Sequence, residues 1–361
     1  MPTPLTLPGA VDEVVRRRLG LFTTADLTVA GITRTEIASA VRRGAWTRVR
    51  PGVLVTAEDL AEVTASGRRP GLDALAVTAS LHRSSAVLSG ATAAWVWGLP
   101  RPRSAAGTVE LTDPYRWRSG RGWRMTRAEL PDDEVTVRGA YRVTTATRTV
   151  VDVARSWPEV DAVAAIDAAL LRGLTSQDQL TRVLARQWCV PGVPRAVRAV
   201  ALADGRAESW LETSGRLAFA ALGLPPFTPQ VELRVGGRLV KVTDGWYPEA
   251  ALAIEFDGQV KYRQPSFGRT PAEELWREKR DEDLLRSLGV QFVRVAAEDL
   301  DRGRRTLDRR VRRSLARPGP RIREFQEEPR AEGRVRSSDT GDDGWLARAD
   351  DRVGAPASCP G

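Results

Sequence analysis

Residues 251–257, Ala-Leu-Ala-Ile-Glu-Phe-Asp, constrain the fold more than any other part of this chain. Successive side chains of a β-strand point to opposite faces, and this run alternates apolar and acidic residues accordingly. Leu252, Ile254 and Phe256 are therefore expected to face a core. Glu255 and Asp257 are then neighbours on the other face of the strand.

A second strand with a third carboxylate precedes this one. Residues 240–247 form a β-type run, and residues 248–249 are good turn formers. A turn centred between residues 249 and 250 places Asp244 opposite Glu255, because the midpoint of 244 and 255 is 249.5. The sequence thus predicts a hairpin on which these two carboxylates and Asp257 converge.

Three carboxylates on one patch favour a divalent metal ion. Like charges placed opposite one another destabilise a sheet, and a cation removes this cost by neutralising them. Oxygen ligands suit Mg²⁺ or Mn²⁺, which can activate a water and stabilise charge on a phosphate. The pattern predicts a phosphodiester-hydrolysing site in which Asp244, Glu255 and Asp257 hold the metal. The alternative is a solvated acidic face on an amphipathic hairpin.

Helices on both sides of the hairpin extend this unit to residues 201–316. Residues 209–223 form a helix whose Glu212 either approaches the carboxylates or complements the helix dipole. A long charged helix at 273–288 and a strand at 290–295 follow the hairpin.

Composition narrows the choice of partner and of metal. The 361 residues include 55 Lys and Arg against 46 Asp and Glu, and the net charge of +9 favours a polyanionic partner. A GC-rich genome would explain part of this arginine content equally well. His82 is the sole histidine, and the two cysteines, Cys189 and Cys359, lie far apart. Metal or catalytic sites built from several His or Cys residues are therefore excluded.

Residues 1–66 are predicted to form a winged helix-turn-helix domain. Residues 23–24 provide the cap of one helix, and Thr33 with Glu36 forms the capping box of the next helix, which Gly44 ends. Two short β-type runs follow as a hairpin. Two helices and then a hairpin is the order of a winged helix.

The second of these helices and the hairpin expose arginines that suit contacts with DNA phosphates and entry into a groove. A helical scaffold with a solvated basic face is the alternative. The predicted DNA-contacting residues are Arg34, Arg42, Arg43, Arg48 and Arg50.

The remaining sequence divides into a middle domain and a tail, which makes the whole chain a multidomain α/β protein. Residues 67–200 mix strand and helix patterns, which predicts an α+β domain. Residues 317–361 are rich in Arg, Glu, Asp, Gly and Pro, which predicts a disordered tail. The chain shows neither a signal-type apolar core near its start nor a run of roughly 18 apolar residues. We therefore expect a cytoplasmic protein without a membrane span.

The C-terminal unit resembles the Vsr-like branch (very-short-patch-repair endonucleases) of the PD-(D/E)xK nuclease superfamily. The matching residues are Glu212, Asp244, residues 255–258, residues 280–281 and Arg294. The resemblance implies a restriction-endonuclease-like mixed sheet flanked by helices and Mg²⁺-dependent hydrolysis of DNA. It makes Asp244 and Glu255 metal ligands and Asp257 a third ligand or a water-positioning group. Arg280 and Arg294 would be structural or would contact phosphate.

Two positions depart from the superfamily's pattern. Asp257 stands where the wider superfamily has its lysine, and Tyr262 stands where Vsr-like relatives often have a histidine. Lys261 is adjacent, and either Lys261 or Lys241 could supply the cation that stabilises charge on the phosphate. If neither lysine reaches the site, the unit would be a binding domain.

The front of the chain resembles the winged-helix domain of AbiEi-type antitoxins from type IV toxin–antitoxin systems. The similar segments are 22–27, 43–46 and 50–54, and residues 144–154 resemble the middle region of the same actinobacterial proteins. In that family the winged helix binds promoter DNA and represses transcription. The resemblance therefore implies DNA and a cognate toxin as partners.

Two functions follow from these patterns. The first is a DNA-binding, Mg²⁺-dependent endonuclease whose catalytic residues are Asp244, Glu255, Asp257, Lys261 and Glu212. The alternative is an antitoxin-like transcriptional regulator whose nuclease fold is catalytically inactive. The sequence alone favours the nuclease, because all three carboxylates of the hairpin are present.

Overall fold

The computed structural model describes residues 15, 18–257 and 271–330, with only the backbone given at 271, 272, 274 and 275. The described chain is a mixed α/β protein with three sheets. It divides into two compact units, one reaching Val153 and the other beginning at Ala154. This grouping differs from the predicted division at 66/67 and 200/201.

The first unit begins with a winged helix-turn-helix. Its elements are β1 (Leu21–Thr23), α1 (Thr24–Val29), α2 (Arg34–Arg42), β2 (Trp46–Arg50) and β3 (Val53–Thr56). The three strands form an antiparallel sheet in the order β1-β3-β2. Both helices pack on this sheet through one apolar cluster, to which Phe22, Leu27, Ile37 and Leu54 belong.

The predicted helix starts and the predicted hairpin of this domain are confirmed. Thr23 and Thr33 cap α1 and α2, and in each case the acidic third residue of the helix, Asp26 or Glu36, returns to the backbone of the cap. Gly44 follows α2 with φ +73°, a conformation that glycine adopts without strain. The strand β1, which completes the sheet, was not predicted from the sequence.

A six-stranded mixed sheet with helices makes up the rest of the first unit. Its elements are α3 (Ala57–Ala65), α4 (Arg69–Leu81), β4 (Val87–Leu88), α5 (Gly90–Val96), β5 (Val109–Asp113), β6 (Arg118–Gly120), β7 (Trp123–Arg127), β8 (Val135–Arg138), β9 (Tyr141–Thr144) and α6 (Ala146–Ala154). The strand order is β6-β7-β5-β4-β9-β8. Leu21 and Val55 of the winged helix share one apolar cluster with Leu72, Leu88 and Leu111. This shared core explains why the winged helix and the sheet form a single unit.

The second unit opens with helices and continues into a five-stranded sheet. Its elements are α7 (Glu159–Leu171), α8 (Gln177–Arg186), α9 (Val193–Leu202), α10 (Trp210–Ala221), β10 (Thr228–Val235), β11 (Arg238–Tyr247), β12 (Leu252–Phe256), α11 (Pro271–Ser287), β13 (Gln291–Val295), α12 (Ala297–Asp301), α13 (Arg304–Leu315) and β14 (Gln326–Pro329). The strand order is β13-β12-β11-β10-β14. The pair β12–β13 is parallel and the other pairs are antiparallel, so the sheet is mixed.

Apolar clusters cover both faces of this sheet. On one face Leu252, Ile254 and Phe256 pack with residues of α10 and α13, as the alternation in the sequence predicted. On the other face Ala253 belongs to a cluster with Leu285 of α11. A mixed sheet flanked by helices is therefore observed in this unit.

The C-terminal segment differs from the predicted tail at residues 326–329. These residues form β14, which pairs with β10 at the edge of the sheet. Phe325 packs edge-on against Trp246, and Arg330 donates to Glu232 at 2.9 Å. The sequence Gln-Glu-Glu-Pro has no apolar pattern that would predict a strand. Backbone hydrogen bonds to β10 and the contacts of the flanking residues hold it at the edge of the sheet. The rest of the predicted tail, residues 331–361, lies outside the described residues.

Candidate functional site

The winged helix exposes its arginines on the side of α2 that faces away from the core. Arg34, Arg42 and the following Arg43 are exposed, whereas Ile37 and Ala40 of the same helix are buried. Arg48 on β2 is also exposed. None of these arginines forms an ion pair with a carboxylate in the described part of the chain. Their charge is therefore available to a polyanion.

Arg50, the fifth predicted contact, has a structural partner. Its guanidinium donates to the carbonyl oxygen of Arg121 at 2.7 Å, in the turn between β6 and β7. Arg50 is only half-exposed, and it fastens the hairpin of the winged helix to the six-stranded sheet. No local sequence pattern indicates this contact, because the two residues are 71 positions apart.

The hairpin of β11 and β12 has the predicted register. Gly245 lies opposite Ile254, so the next pair along the strands is Asp244 and Glu255. Both carboxylates are buried, with 2% and 8% of their surface exposed. The backbone N–H of Phe256 donates to Asp244 Oδ2 at 2.7 Å, which ties the two strands together at this point.

A lysine pairs with one of these carboxylates. Lys241 Nζ lies 3.1 Å from Glu255 Oε2. Of the two lysines that the sequence offered for this place, the structure describes only Lys241, since Lys261 lies outside the described residues, as does Tyr262. The chain contains just three lysines among its 55 Lys and Arg, at positions 241, 261 and 279.

Asp257 follows β12, and its charge acts on Arg294. Arg294 lies opposite Glu255 on β13 and forms an ion pair with Glu282 of α11. Burial lowers the pKa of Arg294, but the charges of Glu282, Asp257 and Glu255 more than offset this and raise it. Arg294 thus offsets the negative charge of these carboxylates. A structural role was one of the two that the resemblance to Vsr-like nucleases implied for it. Arg280 is exposed on α11.

Glu212 accepts hydrogen bonds at the N-terminus of α10. Its carboxylate accepts the backbone N–H of Glu208 at 2.9 Å and the hydroxyl of Ser209 at 3.0 Å. Gln230 Nε2 also donates to it at 3.0 Å. This structural role matches the helix-terminus interpretation more closely than a catalytic one.

Gln230 is a site residue that the sequence analysis missed. It is fully buried and lies between the pairs Pro229–Gly245 and Val231–Thr243, which places it opposite Asp244. Its φ of +54° is costly for a residue other than glycine. Gln230 therefore links the carboxylate of Glu212 to the strand that carries Asp244. Nothing in the local sequence signals this backbone conformation.

Asp244, Glu255 and Asp257 do not group into a metal site in the described part of the chain. Among the described residues, no group of three or more His, Cys, Asp and Glu side chains could hold a metal ion. Asp244 accepts a backbone N–H, Glu255 pairs with Lys241, and Asp257 acts on Arg294. As arranged, these three side chains do not fit the Mg²⁺ or Mn²⁺ ion that the sequence predicted.

The fold and its basic surface define a winged-helix protein whose chain continues into a second α/β unit. Residues 10–57 match the family model described as "Transcriptional regulator, AbiEi antitoxin". The match covers the winged helix and supports the resemblance noted for the front of the chain. It does not extend to the second unit.

Two proteins of Mycobacterium tuberculosis, one from each of two strains, are similar over a longer stretch. Each is 29% identical over 294 residues, which is 79% of this chain and 98% of the relative. Both are described as uncharacterized proteins, so they show a shared chain organisation and no activity. Across the described residues, no helix is long and apolar enough to cross a membrane.

Proposed function

We propose that this chain is a DNA-binding transcriptional regulator of the AbiEi antitoxin type. The observation that carries the proposal is the exposed arginine surface of α2, within a segment that matches the antitoxin regulator family. Promoter DNA and a cognate toxin are the partners that this function entails. The endonuclease that the sequence favoured is the less well supported function.

The winged helix suggests how each arginine acts. The N-terminal residues of a recognition helix approach base edges in the major groove, so Arg34, at the start of α2, is assigned a base contact. Arg42, Arg43 and Arg48 lie farther along and are assigned to phosphates. Each phosphate contact releases a condensed counterion. It therefore adds about 0.9 to the steepness with which the logarithm of the binding constant falls with the logarithm of the salt concentration, here called the salt slope.

A metal-dependent endonuclease remains the second candidate, on one observation. Lys241 beside Glu255, with Asp244 opposite, places a lysine and two carboxylates at one point of a mixed sheet, as in the Vsr-like resemblance. In that case Asp244, Glu255 and Asp257 would have to hold Mg²⁺ or Mn²⁺. As they are arranged among the described residues, these carboxylates do not fit the ion. In the regulator the same charges hold β11, β12 and β13 together.

The proposed function is tested by binding to the duplex upstream of the chain's own gene. A labelled duplex of this region is titrated with the wild type and with Arg42→Ala/Arg43→Ala, and a random duplex of equal length serves as competitor. Loss of two phosphate contacts should weaken binding roughly tenfold or more and lower the salt slope by about 2.

The matched control is Arg302→Ala/Arg305→Ala, which removes the same charge from exposed positions in the second unit. We expect this control to bind as the wild type does. Equal affinity of wild type and Arg42→Ala/Arg43→Ala for the duplex would refute the proposed function.

A further inference from the structure

The segment that contains β6 and β7 carries many arginines and exposed aromatic side chains. Residues 114–128, here called the arginine ribbon, contain five arginines and neither Asp nor Glu. The arginines are Arg116, Arg118, Arg121, Arg124 and Arg127, and all five are exposed. Tyr115 and Trp117 alternate with the first two of them, and each has 73% of its surface exposed. β6 forms the edge of its sheet, so this surface is not covered by a further strand in the described chain.

The start of the ribbon is anchored on a buried carboxylate. Asp113 Oδ1 accepts the backbone N–H groups of Tyr115 and Arg116 at 2.8 and 3.1 Å. Its Oδ2 accepts from Arg83 at 3.0 Å and from Ser85 at 2.7 Å. Burial raises the pKa of Asp113, but these hydrogen bonds outweigh it, so the pKa is lowered and the carboxylate stays charged. The exposed rings are thus presented by a fixed backbone.

Most of the ribbon's positive charge is not neutralised within the described chain. Arg124 pairs with Glu110 at 2.6 Å. Arg118 lies over the ring of Trp123, 5.9 Å from its centroid. Arg116, Arg121 and Arg127 form no ion pair with a described carboxylate. Guanidinium groups suit phosphates, and exposed aromatic rings suit sugars and bases, so the combination fits a nucleic acid.

The ribbon adjoins the hairpin of the winged helix. The contact is the hydrogen bond from Arg50 to the carbonyl oxygen of Arg121. A guanidinium nitrogen of Arg50 also lies 3.4 Å from the place where a Cβ on Gly122 would stand. The turn of the ribbon therefore lies beside the end of β2. When a recognition helix occupies the major groove, the neighbouring backbone of the duplex passes close to such flanking elements.

We propose that the arginine ribbon is a second DNA-contacting surface, continuous with the winged-helix hairpin, that holds the sugar–phosphate backbone of the same duplex. The inference rests on the proposed DNA-binding function. Arg116, Arg118 and Arg121 bind phosphates, and Trp117 packs against sugars at the edge of a groove. Duplex DNA is the occupant because the ribbon's charge continues that of the winged-helix arginines, which α2 presents in the geometry of a groove reader.

The test compares five forms of the full chain. They are the wild type, the ribbon variant Arg116→Ala/Arg118→Ala/Arg121→Ala, the charge-keeping variant with Lys at the same three positions, the helix variant Arg42→Ala/Arg43→Ala, and the control Arg302→Ala/Arg305→Ala/Arg309→Ala. Fluorescence anisotropy is measured on a 40-base-pair duplex and on its isolated 40-nucleotide strand over a series of salt concentrations. Thermal unfolding shows whether each variant is folded.

We expect the ribbon variant to bind the duplex at least roughly tenfold more weakly and to lose about 2 to 3 from the salt slope. The lysine variant should keep most of the slope, because it keeps the charge. The control should bind as the wild type does. If the triple substitution lowers the melting temperature, Trp117→Ala replaces it, with an expected loss of about threefold or more from removal of one packed ring.

The outcomes separate this inference from the proposed function. If the helix variant loses affinity while the ribbon variant keeps both affinity and slope, the inference is overturned and the proposed function stands. If the helix variant binds as the wild type does, the proposed function fails. An equal loss in the control would assign the effect to net charge and overturn the inference. Ribbon-dependent binding that prefers the single strand would overturn the choice of duplex DNA.

Discussion

Lys241 Nζ lies 3.1 Å from Glu255 Oε2, and the carboxylate that a nuclease would use for a metal is thereby paired within the chain. One strand away, Asp244 accepts the N–H of Phe256. Both contacts join neighbouring parts of β11 and β12. The charges of this hairpin therefore have a structural explanation, and they can be retained in a protein that acts by binding DNA.

Replacing Asp244 with Ala should destabilise the second unit by about 1–3 kcal/mol, since the buried N–H of Phe256 would lose its acceptor. Asp244→Asn keeps an acceptor oxygen and should cost less. Urea unfolding of both variants measures the difference, and binding to duplex DNA should stay unchanged. A stability of Asp244→Ala equal to that of the wild type would contradict the structural role.

The pair Lys241–Glu255 should show coupling in a double-mutant cycle. Lys241→Met alone leaves a buried carboxylate without its ammonium partner, whereas Lys241→Met/Glu255→Gln removes both charges. We expect a coupling energy of about 1–3 kcal/mol from urea unfolding of the four proteins. Strictly additive effects of the two substitutions would show that the pair does not stabilise the hairpin.

The first unit depends on a buried ion pair network in α6. Arg148 is buried, forms an ion pair with Glu134, and donates to Asp152 at 2.9 Å. Arg148→Met should destabilise the unit by about 3–5 kcal/mol, because it removes the guanidinium that pairs with the buried Glu134 and with Asp152. The control is Arg69→Met, which breaks an exposed pair with Asp73 and should cost less than about 1 kcal/mol. Similar melting temperatures for the two variants would argue against the network.

Asp167 should make stability depend on pH. Burial raises its pKa to about 6, although Arg216, Thr213 and the N–H of Asp204 donate to the carboxylate. The folded state therefore binds this proton more tightly than the unfolded chain, whose pKa is about 4. The stabilising effect of the proton is complete below about pH 4 and is lost as the pH rises through about 6, for a total of about 3 kcal/mol.

Urea unfolding of the wild type and of Asp167→Asn between about pH 4 and pH 7.5 isolates this contribution. The stability of the wild type relative to the variant should fall across that range. A constant difference between the two proteins would contradict the raised pKa of Asp167.

Local information was enough to predict some elements from the sequence. The capping box at Thr33 and the turn centred at 249.5 depend on residues close together in the chain, and the structure shows both. The pairings of β1 with β3 and of β10 with β14 join distant segments, so no local pattern revealed them. Asp167 has the spacing of a helix-surface residue, yet contacts with α10 bury it.

In the candidate sites, too, features set by nearby residues could be predicted and features set by distant contacts could not. The register brought Asp244 and Glu255 together as predicted. Their burial and their partners depend on packing, so the sequence did not reveal them. The sequence offered two lysines; Lys241 pairs with Glu255, and Lys261 lies outside the described residues. The arginine ribbon was not singled out from the sequence, because its contact with Arg50 joins residues 71 positions apart.

We propose that this chain binds duplex DNA through its winged helix and does not cleave it. The most direct test incubates supercoiled plasmid with the wild-type protein and Mg²⁺ or Mn²⁺, and resolves the DNA on a gel before and after digestion of the protein. We predict a retarded plasmid that returns to the supercoiled position after digestion, and loss of the retardation in Arg42→Ala/Arg43→Ala. Nicked or linear plasmid produced by the wild type, and not by Asp244→Ala, would contradict the claim and establish the nuclease.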